Sequence, residues 1–394
     1  MANNFSTLAV HGGEERRKPY GALTTPVIQS STYTFKDTAE ILDFMRRKDA
    51  GQLPVRDEYG RYSNPTQTTA EQKLAALEGG ERSLLFATGM NAITTTLLTL
   101  LSNGDHLVMV EGAYRRTEEF ARVYLPRWGV DTTFVPIDDP DALHSAIQPN
   151  TRAIMSETPT NPYLRVMDLS RMVEIAREQD ILTIIDSTFA TPINLRPLEH
   201  GLDLVIHSAT KYLGGHNDLL AGAVIGRGDL LSEIEDARGV LGGMSNPNDA
   251  YLLIRGIKTL ELRVQRQNEN GQRIAEFLQD HPAVSRVHYP GLANHPDHQV
   301  AQRQMTGFGG VVSFEIDGDM EETGRFIDRL QLPYVGPTLG GVESVVEQMA
   351  ALFSLDPEER RVAGIKDNLV RYALGIENAD DIIADLDQAL SDTG

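Results

Sequence analysis

The chain has 394 residues, and its 36 basic and 56 acidic side chains give a net charge of −20. This acidity, with no basic run to offset it, argues against a nucleic-acid partner. Because there is no cysteine, disulfides, thiolate metal sites and cysteine nucleophiles are excluded, and we expect no bound metal.

Length and hydropathy place the chain in a broad class before any motif is considered. A chain of this length can form two or three domains, and its 41% hydrophobic content is ordinary for a globular protein. The first residues lack the charged and apolar regions of a secretory signal, and no apolar run is long enough to span a membrane. We therefore expect a cytoplasmic protein with no membrane partner.

The first 60 residues contain several Pro, Gly and Thr residues and little periodicity apart from one predicted helix, Ala39 to Arg47. Such a segment cannot form a core of its own, so we expect an extended arm that lies on another surface. Tyr59 and Arg61 follow at its end. A guanidinium offers paired donors to a phosphate, so these two residues can form a phosphate clamp, although a solvated loop arginine fits the pattern equally well.

A predicted helix from Thr69 to Leu77 and a strand from Ser83 to Ala87 lead to Thr88, Gly89 and Met90, which begin a long apolar helix. A strand, a glycine and a helix N-terminus form a natural phosphate site, because free N–H groups and the helix dipole both favour an anion. Many α/β proteins contain one such turn, so alone it is a weak indication.

From residue 106 onward the chain alternates between short apolar strands and helices. The predicted strands are His106 to Val110, Thr132 to Pro136, Thr151 to Ser156, Ile181 to Ile185, Leu204 to Ile206 and Ala221 to Ile225. The predicted helices lie around Arg116 to Leu125, Asp141 to Ile147 and Leu169 to Glu178. This alternation predicts an α/β fold with a doubly wound, mostly parallel sheet.

Two of these strands end near groups that suit a cofactor. One is followed directly by Asp186, and the next leads to Ser208, Thr210 and Lys211. A partly desolvated lysine can form a Schiff base, and the two hydroxyls can hold a phosphate. Pyridoxal phosphate (PLP) enzymes need such a lysine and an acid opposite the pyridine nitrogen, and open α/β sheets bind ligands at strand ends. A surface lysine after a strand is the alternative.

Two further side chains fit a PLP site less specifically. Tyr114 follows a strand and can stack on the pyridine ring, and Asn161 can donate to the phenolic oxygen of the cofactor. A core tyrosine and a turn residue before Pro162 are the alternatives. Both residues are therefore candidates whose assignment depends on wider similarity.

The last third of the chain predicts a smaller α+β domain. Its predicted elements are a long bridging helix from Asn246 to Arg263, a helix Gln272 to Gln279, a strand Gly310 to Ile316, a helix Met320 to Leu330, a strand Leu369 to Leu374 and a last helix from Asp380. Arg371 lies in an alternating strand between apolar neighbours. An arginine placed so is often a carboxylate receptor, and a surface-facing strand residue is the alternative.

Three motifs resemble those of the Cys/Met-metabolism PLP enzymes, a family of cystathionine synthases and lyases, methionine γ-lyases and homoserine sulfhydrylases. The motifs are Asp186-Ser-Thr-Phe-Ala-Thr-Pro192, His207-Ser-Ala-Thr-Lys-Tyr-Leu-Gly-Gly-His216 and Ser63-Asn-Pro-Thr66. The resemblance runs from about Leu8 to the C-terminal helix. It implies PLP fold type I, similar to aspartate aminotransferase, with a mixed, mostly parallel seven-stranded sheet and a smaller C-terminal α+β domain.

The resemblance also implies a domain division and an oligomer. Residues 1–60 are expected to pack on a neighbouring subunit, residues 61–255 to bind PLP, and residues 256–394 to form the C-terminal domain. Because the family's matching tyrosine and arginine reach the cofactor of the adjacent subunit, the expected assembly is a homo-oligomer, a tetramer built from two dimers. Small amino-acid substrates are the expected ligands.

The residues that match the family's functional positions fall into three groups. The catalytic candidates are Lys211, Tyr114 and Asp186. The cofactor-binding candidates are Tyr59, Arg61, Gly89, Met90, Tyr114, Asn161, Asp186, Thr188, Ser208, Thr210 and Lys211. The substrate-binding candidates are Arg371, Thr338, Asn161 and Arg116, of which Arg371 is expected to bind the α-carboxylate of the substrate.

Within the family, three features are most similar to the plant-type cystathionine γ-synthases. They are the pair Arg115-Arg116 after Tyr114, Pro337 where many members carry a glutamate, and the run from Glu343 to Ala350. This similarity implies γ-replacement, in which cysteine displaces the γ-substituent of an activated homoserine ester to give cystathionine. A γ-lyase or sulfhydrylase is the first alternative, and a PLP-binding regulator without turnover is the second.

Arg115 and Arg116 also lead to an expectation about the leaving group. Neighbouring helical residues point in different directions, so at most one of them is expected to face the site. An arginine there favours an anionic γ-substituent, which predicts a preference for phosphorylated or succinylated homoserine over the acetylated ester. The alternative is a solvated helix start paired with Glu118 and Glu119.

Overall fold

The computed structural model describes residues 4–52 and 56–391. Seven strands form the main sheet: β1 (Arg82–Phe86), β2 (His106–Val110), β3 (Asp131–Val135), β4 (Thr151–Glu157), β5 (Leu182–Asp186), β6 (Leu204–His207) and β7 (Gly222–Gly226). Their order is β1-β7-β6-β5-β4-β2-β3, and β7 runs antiparallel to both of its neighbours, β1 and β6, while the other pairs are parallel. The predicted mixed, mostly parallel sheet of seven strands is confirmed.

Helices cover both faces of this sheet, because its central strands are buried and apolar on both sides. The helices of this part of the chain are α1 (Phe5–His11), α2 (Thr38–Asp49), α3 (Pro65–Glu78), α4 (Gly89–Leu100), α5 (Arg115–Glu119), α6 (Pro140–Ser145), α7 (Leu169–Glu178), α8 (Thr191–Asn194), α9 (Gly228–Leu241) and α10 (Pro247–Ile257). Leu84 and Phe86 pack with α4 and α9 on one face, while Leu85 packs with α3 and α10 on the other. The carboxyl ends of the parallel strands therefore lie between the two helix layers, at one edge of the sheet.

Five strands form a second sheet: β8 (Val284–His288), β9 (Val311–Ile316), β10 (Tyr334–Val335), β11 (Val345–Gln348) and β12 (Leu369–Ala373), in the order β10-β11-β12-β9-β8. Its helices are α11 (Leu260–Asp280), α12 (His298–Gln304), α13 (Met320–Arg329), α14 (Met349–Phe353), α15 (Pro357–Val362) and α16 (Ala379–Ser391). Phe314 of β9 meets Phe326 of α13 edge to face at 5.9 Å. The predicted smaller α+β unit is present, and Arg371 lies in β12.

The predicted long helix from Asn246 to Arg263 is wrong in one respect, because the structure breaks it into α10 and α11 at Lys258 and Thr259. Arg263 helps to fix the break: its buried guanidinium donates at 2.8 Å to the carbonyl of Gly256, which also accepts the N–H of Thr259 at 3.2 Å. The predicted helix from Gln272 to Gln279 is the last part of α11.

The N-terminal segment is more structured than the expected arm. Helix α1 lies on α3 of the same chain, where the buried Lys73 donates to the carbonyls of Ala9 at 2.9 Å and Val10 at 3.2 Å. The pattern gave no signal for α1 because only Ala9 of its seven residues is buried. The domain boundaries at residues 60 and 255 stay predictions. Within residues 4–52 and 56–391, no helix is long and apolar enough to cross a membrane.

Candidate active site

The ends of β5 and β6 bring the two strongest candidates to one edge of the sheet. Asp186 is the last residue of β5 and is paired in parallel register with Ile206 of β6. The loop after β6 then carries Ser208, Thr210 and Lys211. Because parallel strands end at the same edge, Asp186 and Lys211 lie on the same side of the sheet, as the sequence predicted.

Lys211 is placed as an amine that can lose its proton. Its Nζ donates to the Thr338 hydroxyl at 3.2 Å, which links the large sheet to the C-terminal unit. Burial lowers the pKa of Lys211, and the charge of Arg371 lowers it further, while Glu347 opposes them. A lysine with a lowered pKa is suited to Schiff-base formation and to proton transfer.

Asp186 is a buried carboxylate held by its neighbour along the chain. It accepts hydrogen bonds from the backbone N–H and the hydroxyl of Thr188, at 3.0 and 2.5 Å. Burial raises the pKa of Asp186, and the two bonds from Thr188 oppose that effect. The Thr188 hydroxyl also accepts the N–H of Ser208 at 2.8 Å, so Thr188 ties the two strand ends together.

Arg371 connects the substrate candidates into one network. It pairs with Glu347 at 3.0 Å, and it donates to the Asn161 side-chain oxygen at 3.0 Å and to the Thr338 carbonyl at 3.3 Å. The arginine is only 4% exposed, yet its Nε and one oxygen of Glu347 have no hydrogen-bond partner. These unsatisfied buried atoms at the wall of a cleft are suited to a charged ligand.

The residues of the predicted phosphate site at the N-terminus of α4 lie close to the loop after β6. Thr88 caps α4 by accepting the N–H of Asn91 at 3.0 Å, and a Cβ added to Gly89 would lie 2.8 Å from that of Ser208. Because only glycine fits this close approach, the α4 N-terminus and the Ser208 hydroxyl can contact the same anion. The Thr210 hydroxyl bridges the N–H and carbonyl of Ala221, at 3.0 and 3.2 Å, and so braces the loop that carries Lys211.

A cleft of about 1460 Å³ opens between the strand ends and the C-terminal unit, with Tyr114, Asn161 and Arg371 in its wall. The Tyr114 side chain is half exposed there. Arg115 donates to the Phe353 carbonyl at 2.7 Å and stacks on the Phe353 ring, which joins the two sides of the cleft. Arg116 also lines the cleft, but it pairs with Glu119 on its own helix at 2.5 Å, the alternative expected for one of the two arginines.

Tyr59 and Arg61 lie apart from this cleft. Among the described residues, neither belongs to the cleft wall. Arg61 donates to the Gly239 carbonyl and to the Tyr62 hydroxyl, and its guanidinium stacks on the Tyr62 ring at 4.6 Å. Lys211 and Asp186, which the structure also describes, do not line the cleft either, so the cleft wall alone does not separate the clamp from the lysine. The contact of Tyr59 and Arg61 with the cofactor of a neighbouring subunit stays a prediction.

Two buried carboxyl groups of the site carried no role in the sequence analysis. Glu157 ends β4, as Asp186 ends β5, and its side chain accepts the Tyr114 N–H at 2.6 Å. Glu347 lies opposite Arg371 across β11 and β12. A carboxylate directly after a buried strand was the signal that identified Asp186, and the same signal marks Glu157. Glu347 depends on the register of a strand that was not predicted.

Taken together, these residues fit PLP. A PLP site needs an amine, a carboxylate for the ring nitrogen and a receptor for the substrate carboxylate, and Lys211, Asp186 and Arg371 are groups of these types. The close approach of Gly89 to Ser208 leaves no room for a larger residue at position 89, and a helix N-terminus there is suited to an anion. The donor set thus contains each type of group that the cofactor requires.

Three comparisons with known proteins bear on this site. The model of the Cys/Met metabolism PLP-dependent enzyme family matches residues 6–391. Cystathionine gamma-synthase 1, chloroplastic, of Arabidopsis thaliana is 49% identical over 389 residues, which is 98% of this chain and 68% of that protein. Cystathionine gamma-lyase of Bacillus subtilis is 41% identical over 387 residues, 98% of each. The crystal structure of metB from Corynebacterium glutamicum superimposes with a TM-score of 0.91 at 35% identity, covering 100% of this chain and 99% of that one.

Proposed function

Because the chain belongs to the Cys/Met metabolism PLP-dependent enzyme family, we propose that it catalyses cystathionine γ-synthesis, the γ-replacement of an activated homoserine ester by cysteine. The family, the fold type and the use of PLP are confirmed by the comparisons. The observation that carries the proposed reaction is the higher identity to two plant cystathionine γ-synthases, 49% and 47%, than to a γ-lyase, 41%.

Different residues of the chain bind the substrate and transfer its protons. Bound PLP supplies an electron sink for the bond that breaks at the substrate Cα. Arg371 binds the substrate α-carboxylate through its guanidinium, with Asn161 fixing the guanidinium plane. The lowered pKa of Lys211 lets its amine take the Cα proton, and the Asp186 carboxylate would hold the ring nitrogen of bound PLP.

The γ-replacement then needs four more proton movements and one exchange of groups. A proton leaves Cβ, the Cγ–O bond of the ester breaks, and the leaving group departs with the bonding electrons. The cysteine sulfur forms a bond to Cγ as its thiol proton is lost, and protons return to Cβ and Cα. Lys211 is the base we assign to Cα, and its Nζ donates to the Thr338 hydroxyl at 3.2 Å.

A product assay tests the proposed reaction. Purified enzyme with PLP is given phosphorylated, acetylated and succinylated homoserine, each with and without cysteine, and the products are separated by mass. We expect cystathionine in the presence of cysteine, with little keto acid. Release of ammonia and a keto acid at the same rate whether or not cysteine is present would contradict γ-synthesis.

The second candidate is elimination on the same scaffold. It is favoured by the Bacillus subtilis γ-lyase, which is aligned over 98% of both chains at 41% identity. Water rather than a thiol completes that reaction, so the same assay separates the two candidates. A third acceptor, sulfide, would indicate a sulfhydrylase and is tested by replacing cysteine with sulfide.

We further propose that the active unit is a homo-oligomer of at least two chains, with a tetramer of two dimers as the predicted assembly. The support is the family resemblance, together with the 43% exposure of Tyr59 and the bonding of Arg61 to the Gly239 carbonyl and the Tyr62 hydroxyl. Thr338 and Arg116 stay predicted substrate contacts. A cytoplasmic location also stays a prediction, tested by fractionation of cells, since the plant relatives are named chloroplastic.

A further inference from the structure

Glu157 makes a contact that the reaction as described does not use. Its carboxyl group is the last side chain of β4, is 3% exposed and accepts the backbone N–H of Tyr114 at 2.6 Å. Tyr114 is the N-cap residue of α5, and its side chain makes no capping hydrogen bond to that helix. The Glu157 bond therefore fixes the backbone from which the Tyr114 ring extends into the cleft.

Glu157 also lies beside the carboxylate that serves the cofactor. It is directly opposite Asp186 in the parallel register of β4 and β5, where adjacent strands are about 4.8 Å apart. Two buried carboxyl groups so placed do not both ionise readily. Burial, and then the charge of Asp186, raises the pKa of Glu157 well above its ordinary value. Asp186, with two bonds from Thr188, is the better placed of the two to carry the charge.

The other charged groups near Glu157 are Glu118 and Arg371. The hydrogen bond from the Tyr114 N–H lowers the pKa of Glu157, Glu118 raises it and Arg371 lowers it, and all three effects are smaller than those of burial and Asp186. Glu118 accepts the N–H of Gly112 at 3.0 Å, two residues before Tyr114. The same turn is thus held at two points by two carboxyl groups, which supplies a matched control.

We propose that Glu157 is a positioning residue that acts in its neutral form. By fixing the Tyr114 backbone, Glu157 also fixes the position of the Tyr114 ring at the cofactor site. Because Glu157 is neutral, Asp186 is the carboxyl group that carries the charge at these two strand ends. The inference rests on the use of PLP and not on the choice of thiol or water as acceptor. We therefore expect the site to keep its function when Glu157 is replaced by a neutral side chain with an oxygen acceptor, and to lose function when the new side chain has no acceptor.

The test compares Glu157→Gln and Glu157→Ala with Glu118→Ala. Each protein is loaded with PLP, and three quantities are measured: the absorbance of the bound cofactor against pH, the rate of cofactor release to an acceptor apoprotein, and kcat/KM. Glu157→Gln should stay within about twofold of the unmodified enzyme, because its amide oxygen still accepts the Tyr114 N–H. Glu157→Ala should lose about tenfold or more in kcat/KM and release PLP faster, while Glu118→Ala, which keeps the bond to the Tyr114 N–H, should change both properties less.

The pH titration tests the neutral form separately. Raising the pH ionises Glu157 and adds a second negative charge beside Asp186, so the unmodified enzyme should show a basic transition in cofactor absorbance that Glu157→Gln lacks. Identical titrations of the two proteins would overturn the neutral form. Equal damage in Glu157→Gln and Glu157→Ala, or none in Glu157→Ala, would overturn the positioning role. If Glu157→Ala does not fold, the Gln variant and its titration decide. Failure to make cystathionine would leave these spectra unchanged and would count only against the proposed reaction.

Discussion

Two regions of the chain carry the predicted cofactor contacts, and they differ in how they are built. Asp186 and Arg371 are 6% and 4% exposed, and Arg371 and Lys211 are joined through Thr338. Tyr59, in contrast, is 43% exposed, and Arg61 is bonded to the Gly239 carbonyl and the Tyr62 hydroxyl. One chain therefore buries the candidate proton-transfer groups, while Tyr59 of the predicted phosphate clamp is exposed.

The difference has a physical basis. Proton-transfer groups need shifted pKa values, and burial between packed layers of one chain provides the low dielectric that shifts them. A phosphate clamp needs only a fixed charge that reaches the ligand, and an arginine keeps its charge even when exposed. An arginine in a surface loop can therefore bind a phosphate held by a neighbouring chain.

The largest expected effect comes from Lys211→Ala. Removal of the amine eliminates both the Schiff base and the base for the Cα proton, so kcat should fall by about a thousandfold or more. The absorbance band of lysine-bound cofactor should disappear at the same time. Thr338→Ala is the companion variant: it removes the hydroxyl that Nζ contacts, and it should keep the band. Full turnover by Lys211→Ala would disprove the assignment.

Arg371→Ala should have the next largest effect. The substrate carboxylate loses a charge-assisted contact worth about 1.5–3 kcal/mol, so kcat/KM should fall by about tenfold to a hundredfold, mainly through KM. The change also leaves Glu347 buried without its partner, which costs stability.

The double variant Arg371→Met with Glu347→Gln separates the two consequences for Arg371. It removes both charges, so chemical denaturation should show stability near that of the unmodified protein while the KM defect remains. If the double variant recovers a normal KM, Arg371 does not bind the substrate carboxylate.

Glu14 anchors the start of the N-terminal segment, and its effect is on stability. Burial would raise the pKa of Glu14, but contacts with Lys258, Lys73 and Lys18 outweigh burial and lower it from 4.5 to about 2. The lowered pKa stabilises the fold above pH 4.5, and this contribution is lost as the pH falls toward 2.

Urea unfolding of Glu14→Gln against the unmodified protein measures this contribution. The stability difference should be largest near neutral pH and shrink as the pH falls from 4.5 to about 2. Glu15→Gln is the matched control, since Glu15 is exposed and next in the chain. A difference that does not depend on pH would mean that the Glu14 charge is not what holds the segment.

The smallest expected effect concerns Arg116. The unmodified enzyme should prefer phosphorylated or succinylated homoserine over the acetylated ester by about tenfold, and Arg116→Ala should flatten that preference without loss of cofactor. Arg115→Ala is the comparison, because Arg115 is already bonded to Phe353 across the cleft. Equal kcat/KM on all three esters in the unmodified enzyme would rule out an anion receptor at this position.

Local patterns predicted the strand-end groups well because their physics is local. A buried apolar run followed by Asp186, or by a loop with Lys211, fixes where the functional group lies once the strands are parallel. The anion seat at Gly89 followed from a strand and a helix N-terminus in sequence. The same logic extends to Glu157, although the carboxylate after β4 was not singled out.

Features set by long-range pairing were not predictable in the same way. Strand β11 was missed because its four residues lack a clear alternation, and with it the pairing of Glu347 with Arg371 across neighbouring strands. The break between α10 and α11 is fixed in part by Arg263 reaching the Gly256 carbonyl, a contact that no periodicity encodes. The place where Tyr59 and Arg61 act depends on a second chain.

The most direct test of the contrast between the two regions is a mixture of two inactive proteins, Lys211→Ala and Arg61→Ala. If each site takes Lys211 from one chain and Arg61 from the other, a hybrid dimer has one site with both residues intact. Random association of equal amounts should then recover about a quarter of the unmodified activity, since half of the dimers are hybrids with one working site of two. Hybrids that are confirmed by mass and yet stay inactive would show that each site is built within one chain.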